Sequence, residues 1–241
     1  MTIAQNLNDV REIIERACAR SNRDAASVTL VAVSKTHPPE AVLEAVRAGM
    51  QHFGENRVEE GVTKIPAVSR QVGVPLTWHM VGHIQSRKAK DVLPLFQVVH
   101  SVDSMKLAEK LSRLAVEQGG KLDALIEVNV SGEASKSGLD AAGWSTDAAV
   151  RERLFQEIEQ MLRLPGLNVR GLMTMAPIVE RAEQARPVFA GLARLREELA
   201  SVCQAALPDL SMGMTDDYPV AIEEGATMVR IGRAIFGERN K

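Results

Sequence analysis

The sequence is poor in the residues that mark several common classes of protein. Aromatic residues make up only 3% of its 241 residues, and cysteine occurs only as Cys18 and Cys203. So few aromatics argue against a surface on which nucleic-acid bases stack. Because the two cysteines lie far apart in helix-like stretches, we expect them to be reduced and packed rather than bridged. No run approaches eighteen apolar residues, so the sequence predicts no membrane-spanning helix.

Charge of either sign is not concentrated anywhere along the sequence. The 29 basic and 31 acidic residues leave a net charge of −2, and no long block carries one sign. A nucleic-acid partner is therefore not expected. Residues 1–20 carry several charges and lack the apolar centre of a signal peptide. We expect a cytoplasmic protein without a membrane partner, and a monomer rather than a large oligomer.

What the sequence does contain is a regular alternation of short apolar runs and helix-like segments. The apolar runs predict eight strands, at 28–34, 50–54, 76–82, 96–102, 122–130, 167–175, 209–214 and 227–232. Seven predicted helices lie between them, at 39–49, 56–70, 85–93, 104–118, 148–163, 180–205 and 216–225. A further amphipathic helix precedes them, with Leu7, Val10, Ile14 and Ala17 at helical spacing.

Apolar strands that alternate with helices favour parallel pairing with crossover connections. Eight such units in this length predict an α/β protein, a single (β/α)8 barrel of the TIM type with an extra N-terminal helix. We expect one domain over residues 1–241, and a doubly wound open sheet is the alternative. Only the segment 131–149 has the composition of a long functional or mobile loop.

Polar residues occupy the points at which the predicted strands end. In a barrel these points form the mouth, where chemistry collects. They are Ser34–Lys35, Glu55–Asn56, Gly82–His83, Ser101–Asp103, Asn129, Thr174, Ser211 and Arg230–Gly232. A lysine such as Lys35 in this position can form a Schiff base when its surroundings favour the uncharged amine. The simpler interpretation is a loop lysine that extends into water.

The run TMVRIGRAIFG (227–237) places Arg230 in an apolar strand, where a buried guanidinium needs a partner. The partner is either a carboxylate at another strand end or a ring nitrogen or anion bound in the mouth. Because Gly232 lacks a side chain, the N–H groups of Gly232 and Arg233 can approach a phosphate.

The run SMGMTDDYPVAIEEG (211–225) contains a second candidate for phosphate binding. Thr215 before Asp216 and Asp217 predicts a helix N-cap, and free N–H groups at a helix start bind anions. Gly213 is expected to keep the approach open, and a plain capped helix is the alternative. Loops after the last two barrel strands often hold phosphate. A lysine, a phosphate site and an arginine facing a ring nitrogen together indicate pyridoxal phosphate.

Six motifs occur in order between about Val31 and Gly237: VAVSKTHP, HFGENRVEE, WHMVGHIQSRKAK, VNVSGEASKSG, GLMTMAP and LSMGMTDDYPVAIEEGATMVRIGRAIFG. Together they resemble the pyridoxal phosphate homeostasis protein family, which is similar in fold to the barrel domain of bacterial alanine racemase. The resemblance covers nearly the whole sequence. It implies a protein that binds pyridoxal phosphate and helps to control its level, without strong catalytic activity.

Carried over by position, the resemblance makes Lys35 the lysine of a covalent aldimine with pyridoxal phosphate and places Arg230 opposite the pyridine nitrogen. It implies further cofactor-binding positions at Asn56 near the ring and at Ser211, Met212, Thr215, Gly232 and Arg233. Three positions depart from the family pattern: Thr215 where serine is usual, Arg233 where threonine is common, and Arg87 where asparagine is frequent. No catalytic residue and no metal ligand is expected.

Other interpretations stay open at this point. An amino-acid racemase needs a second base, and the sole tyrosine, Tyr218, falls in a predicted helix, which leaves a histidine or Lys136 for that role. A class I aldolase would use Lys35 without a cofactor. A metal hydrolase would use the histidines at positions 52, 79, 83 and 100, although ordinary packed or solvent-facing histidines are favoured. Methionines 173, 175, 212 and 214 are expected in the core. Apo-enzymes that use pyridoxal phosphate are the candidate partners.

Overall fold

The predicted apolar runs form the strands of a closed barrel in the computed structural model, which describes residues 2–238. The strands are β1 Thr29–Val33, β2 His52–Glu55, β3 Thr77–Met80, β4 Val98–Val102, β5 Leu122–Asn129, β6 Leu139–Asp140, β7 Leu167–Met173, β8 Asp209–Ser211 and β9 Met228–Ile231. All of them except the two-residue β6 belong to the barrel, and each of those eight corresponds to one predicted run.

Helices connect the strands as predicted. They are α1 Ile3–Arg20, α2 Pro39–Arg47, α3 Val58–Ser69, α4 Ala89–Val92, α5 Met105–Glu117, α6 Ala148–Leu162, α7 Arg186–Val202, α8 Tyr218–Glu223 and α9 Arg233–Phe236. The predicted helix at 85–93 is shorter than expected, because a 3-10 turn at Ser86–Lys88 precedes α4. A similar turn at Ala182–Ala185 precedes α7.

Parallel pairing closes the barrel. Each barrel strand pairs with the next one along the sequence, and β9 pairs with β1 through the register Val31–Arg230. The contact between β4 and β5 completes the ring. The (β/α)8 prediction is therefore confirmed and the open sheet is wrong. One domain over residues 1–241 stays a prediction, and residues 1 and 239–241 lie outside the described residues.

The large apolar core lies between the strands and the surrounding helices, whereas the barrel interior is only partly apolar. Inside the barrel, Val98, Leu125 and Met173 form a separate small cluster. The N-terminal helix α1 belongs to the outer layer, where it buries Leu7 and Val10. Among residues 2–238, the structure contains no helix with the length and apolar character needed to cross a bilayer.

The segment 131–149 is attached to the barrel along its middle. β6 pairs with the end of β5, and the side chains of Leu139 and Trp144 are buried. Gly138 has φ of +111°, and a Cβ there would lie 2.8 Å from the carbonyl oxygen of Glu127. The close approach of the loop to β5 therefore requires glycine at this position.

Candidate functional site

The residues predicted to bind the cofactor follow four consecutive barrel strands. Ser211 ends β8, Arg230 lies in β9, Lys35 follows β1 and Asn56 follows β2. β1 pairs with β9 on one side and with β2 on the other, and β8 pairs with β9. The parallel register therefore brings these residues to one side of the mouth, at the carboxyl ends of the strands.

Two side chains of α3 hold the backbone on both sides of Lys35, which is itself half-buried. The Nζ of Lys64 donates to the carbonyl oxygen of Ser34 at 2.7 Å. The Oε2 of Glu60 accepts from the N–H of Thr36 at 2.8 Å. Thr36 has φ of +66°, a left-handed conformation that is unusual for a β-branched residue. The surrounding contacts thus fix a strained turn directly after Lys35.

A buried ion pair lies beneath this turn. The Nζ of Lys64 is 2.7 Å from Oε1 of Glu55, whose side chain is fully buried and also accepts from the Ser34 hydroxyl at 2.7 Å. Burial raises the pKa of Glu55, and the neighbouring Lys64 opposes that rise. The other carboxylate oxygen, Oε2, has no hydrogen-bond partner in the described part of the chain. The pair therefore holds β2, α3 and the Lys35 turn together.

Arg230 is 5% exposed and directs its guanidinium into the barrel interior. Its Nη1 donates to the Ser211 hydroxyl at 2.6 Å, and its Nη2 donates to the carbonyl oxygen of Thr174 at 3.0 Å. Both acceptors are neutral, so the alternative of a salt bridge with a strand-end acid is not observed among the described residues. Burial lowers the pKa of Arg230 to about 10, and the charges of Asp217 and Glu127 oppose this effect.

Gly232 keeps the end of β9 close to the end of β1. A Cβ at this position would lie 3.1 Å from the carbonyl oxygen of Val33, which is tighter than ordinary contact. The next side chain, Arg233, is exposed and pairs with Asp216 at 2.7 Å. The arginine that replaces the usual threonine is thus occupied by Asp216, which leaves the backbone of residues 232 and 233 as the candidate phosphate ligand.

The helix cap predicted at Thr215 is wrong. Thr215 lies in a turn, and α8 begins after Asp217, whose Oδ1 accepts from the N–H of Met214 at 2.6 Å. Gly213 also has a role other than the expected one of keeping the approach to a phosphate open. Its φ is +93°, and a Cβ there would lie 2.6 Å from the Cβ of Ala221 in α8. Glycine is required for this backbone and for contact with the helix, whereas the approach of a ligand does not explain it.

The surroundings of two further candidate residues, Met212 and Asn56, could not be predicted from the sequence. The side chain of Met212 is fully buried in the outer core, so only its backbone remains for contact with a cofactor. Asn56 packs its backbone against Gly82 and lines a cleft of about 450 Å³ together with His83 and Arg87. The guanidinium of Arg87 donates to the side chain of Gln85 at 3.0 Å.

Three histidines form a row of hydrogen bonds through the barrel interior. His52 Nδ1 lies 3.0 Å from His79 Nε2, and His79 Nδ1 lies 2.8 Å from His100 Nε2. His100 Nδ1 lies 2.8 Å from Oγ of Ser211, the group that accepts from Arg230. Their nitrogens face one another rather than a common point, and residues 2–238 contain no group of three or more metal-binding side chains. The geometry gives no support to a metal hydrolase.

Sequence reasoning missed Lys64 and Glu127 as parts of the site. Lys64 lies between the buried positions Gly61 and Ile65 of α3, so helical spacing would have indicated its burial. Glu127, on β5, is 2% exposed, and burial, reinforced by the charge of Asp103, raises its pKa to about 7. Nothing in the sequence distinguished it from an ordinary strand residue. Asp103 itself pairs with His83 at 2.8 Å.

Comparison with known proteins defines the class to which this barrel belongs. The family described as "Alanine racemase, N-terminal domain" matches residues 4–240. A pyridoxal phosphate homeostasis protein of Aquifex aeolicus is 41% identical over 239 residues, which cover 99% of each chain. One from Pseudomonas aeruginosa is 44% identical over 240 residues, 99% of this chain and 96% of that protein.

A solved structure is also similar to this chain. PipY of Synechococcus elongatus with PLP bound is 36% identical, with a TM-score of 0.78, and the match covers 93% of this chain and all of that one. The chain therefore belongs to the pyridoxal phosphate homeostasis protein family, as its motifs predicted.

Proposed function

We propose that this protein binds pyridoxal phosphate at the carboxyl ends of β8, β9, β1 and β2, and that it helps to control the cellular level of the cofactor. The observation that carries the proposal is that Lys35 follows β1 and Arg230 lies in the adjacent strand β9, with Gly232 between the two strand ends. A primary amine, a buried cation and backbone N–H groups beside a glycine fit the aldehyde, the ring nitrogen and the phosphate of this cofactor.

Each residue has a distinct part in this proposal. Pyridoxal phosphate supplies an aldehyde that condenses with an amine, and Lys35 supplies that amine. Lys64 and Glu60 orient the Lys35 turn through the backbone of Ser34 and Thr36. Arg230 faces the ring nitrogen, and the N–H groups of residues 232 and 233 receive the phosphate, with Thr215 beside them. The barrel holds the cofactor without a residue assigned to turnover.

The names of the relatives support this assignment. They name homeostasis of pyridoxal phosphate, and the PipY structure contains it. Release to apo-enzymes that use the cofactor is part of the proposal, as is a monomer located in the cytoplasm. Both cysteines, Cys18 and Cys203, are unpaired, which suits a reducing compartment.

The test is to mix the purified protein with pyridoxal phosphate, record the visible spectrum, reduce with borohydride and map the modified peptide by mass. We expect a yellow protein whose reduced adduct lies on Lys35, and a Lys35→Ala variant that forms none. Lys136→Ala, which changes the lysine of the loop after β5, should keep the adduct. An adduct on Lys136 or another lysine, or no adduct, would overturn the assignment.

An amino-acid racemase is the second candidate, and one observation favours it. Glu127 carries a carboxyl with pKa of about 7 inside the barrel, on the fifth of the eight barrel strands counted from β1. Such a group can exchange protons at neutral pH. The tyrosine base is not available for this role, because Tyr218 begins α8 and is buried in the outer core, where burial raises its pKa to about 12.

A further inference from the structure

The histidine network, His52, His79 and His100, has no part in the function proposed above. It crosses the barrel from the beginning of β2, through β3 and β4, to Ser211 at the end of β8. His79 is 1% exposed and His100 is fully buried, whereas His52 is partly exposed. The network therefore links a partly exposed residue at one end of the barrel to the hydroxyl that holds Arg230.

The charge state of the network follows from its surroundings. Burial lowers the pKa of His79 to about 3, lowers the pKa of His100 well below its usual range, and also lowers the pKa of His52. All three rings are therefore neutral near neutral pH. A neutral imidazole has one N–H donor and one acceptor nitrogen. Since both nitrogens of His79 and His100 are engaged, every proton in the row must point the same way.

The two possible directions differ at Ser211. Arg230 has donors only, so the Ser211 oxygen must accept from it. If the histidine protons pointed toward Ser211, its oxygen would accept twice, and its own proton would have no acceptor among the described residues. If they point toward His52, the Ser211 hydroxyl donates to His100 Nδ1, and the row ends at a ring that water can reach. Only this second direction satisfies every buried proton.

We propose that the histidine network fixes the Ser211 hydroxyl proton toward His100 and thereby directs the lone pairs of the Ser211 oxygen to Arg230, which they position. In this arrangement all three histidines carry their proton on Nε2. His100 is a positioning residue that acts through Ser211. The link to the cofactor rests on the proposed function, whereas the direction of the protons does not.

The direction is tested on the ligand-free wild-type protein with 15N-labelled histidine. Two-bond proton–nitrogen NMR spectra distinguish the two tautomers and the charged ring. Substitution of His37 and of His83, which lie outside the network, assigns the two other histidine signals. We expect three neutral Nε2–H rings at pH 7. A charged ring, or an Nδ1–H tautomer in any of the three, would overturn the proposal.

The effect on Arg230 is tested with two variants of one residue. In His100→Asn the amide oxygen can replace Nδ1 as the acceptor for Ser211, whereas His100→Leu fills the buried space without an acceptor. We expect the affinity for pyridoxal phosphate to fall about tenfold in the leucine variant and less than about threefold in the asparagine variant, because an unmatched buried donor is costly. If only the packing at position 100 mattered, His100→Leu would bind pyridoxal phosphate at least as tightly as His100→Asn.

Equal affinities of the two variants, or tighter binding by His100→Leu, would overturn the positioning role. If the wild type bound no pyridoxal phosphate at all, the proposed function would fail, and the NMR result would still decide the direction of the network.

Discussion

Lys64 of α3 donates a hydrogen bond to the carbonyl oxygen of Ser34 at 2.7 Å, immediately before the lysine proposed to bind the cofactor. The same ammonium group pairs with the buried carboxylate of Glu55. A helix that packs outside the barrel thus controls the backbone at its mouth. This contact connects the stability of the fold to the position of Lys35.

Replacement of Lys64 should be strongly destabilising. Lys64→Met leaves Glu55 buried and without its cation, and we expect a loss of about 3–5 kcal/mol in the free energy of unfolding. Chemical denaturation at pH 7 measures it. Lys88→Met, which removes the partner of the exposed Glu59 at 3.1 Å, is the matched control and should change little. The double variant Lys64→Met/Glu55→Gln should recover part of the loss. Equal effects of Lys64→Met and Lys88→Met would contradict the role of the buried pair.

Glu127 should make the stability of the protein depend on pH. Burial raises its pKa from 4.5 to about 7, so the unfolded chain loses this proton at lower pH than the folded protein does. Its contribution is therefore fully present below pH 4.5 and is lost as the pH rises to 7. Glutamine does not titrate, so the Glu127→Gln variant does not lose stability in this way. The free energy of unfolding of the variant relative to wild type should therefore increase by up to about 3 kcal/mol between pH 4.5 and 7.

Denaturation curves at several pH values measure the difference between Glu127→Gln and wild type. Glu109→Gln, on the exposed face of α5, controls for the removal of one negative charge. A constant difference between the Glu127 variant and wild type from pH 4.5 to 7.5 would show that the carboxyl titrates alike in the folded and unfolded protein.

Gly213 and Gly225 separate the cost of backbone strain from that of close packing. Their φ angles are +93° and +96°, but a Cβ at 213 would lie 2.6 Å from the Cβ of Ala221, whereas nothing lies within 4 Å at 225. Gly225→Ala should cost about 1–2 kcal/mol, the strain of a left-handed alanine. Gly213→Ala should cost clearly more, because α8 must move. Thermal unfolding of both variants gives the comparison, and similar losses would mean that the helix yields without cost.

The sequence predicted the barrel well because each strand is a short apolar run with polar residues at or near its end. The same pattern selected Lys35, Arg230 and Gly232 as candidate cofactor-binding residues. It did not predict the partners of the buried polar groups, since the row from His52 to His100 joins three strands through side chains that no local pattern relates. Thr215 was misplaced because a threonine before two aspartates is also typical of a turn, and here Asp217 precedes the helix.

The last prediction distinguishes a carrier from a racemase. Arg230 has a pKa of about 10, so near neutral pH its guanidinium keeps its proton and does not protonate a ring nitrogen that faces it. A poorly protonated ring withdraws electrons weakly, and removal of an α-proton should be slow. The proposed function assigns no second base among the described residues, so a further factor of roughly 10²–10⁴ is lost. We expect negligible racemisation of alanine and serine, measured by chiral chromatography. We also expect negligible α-proton exchange in heavy water, measured by NMR. Lys35→Ala gives the background rate. Turnover by the wild type on the order of 1 per second or faster would identify an enzyme, with Glu127 as the first residue to replace.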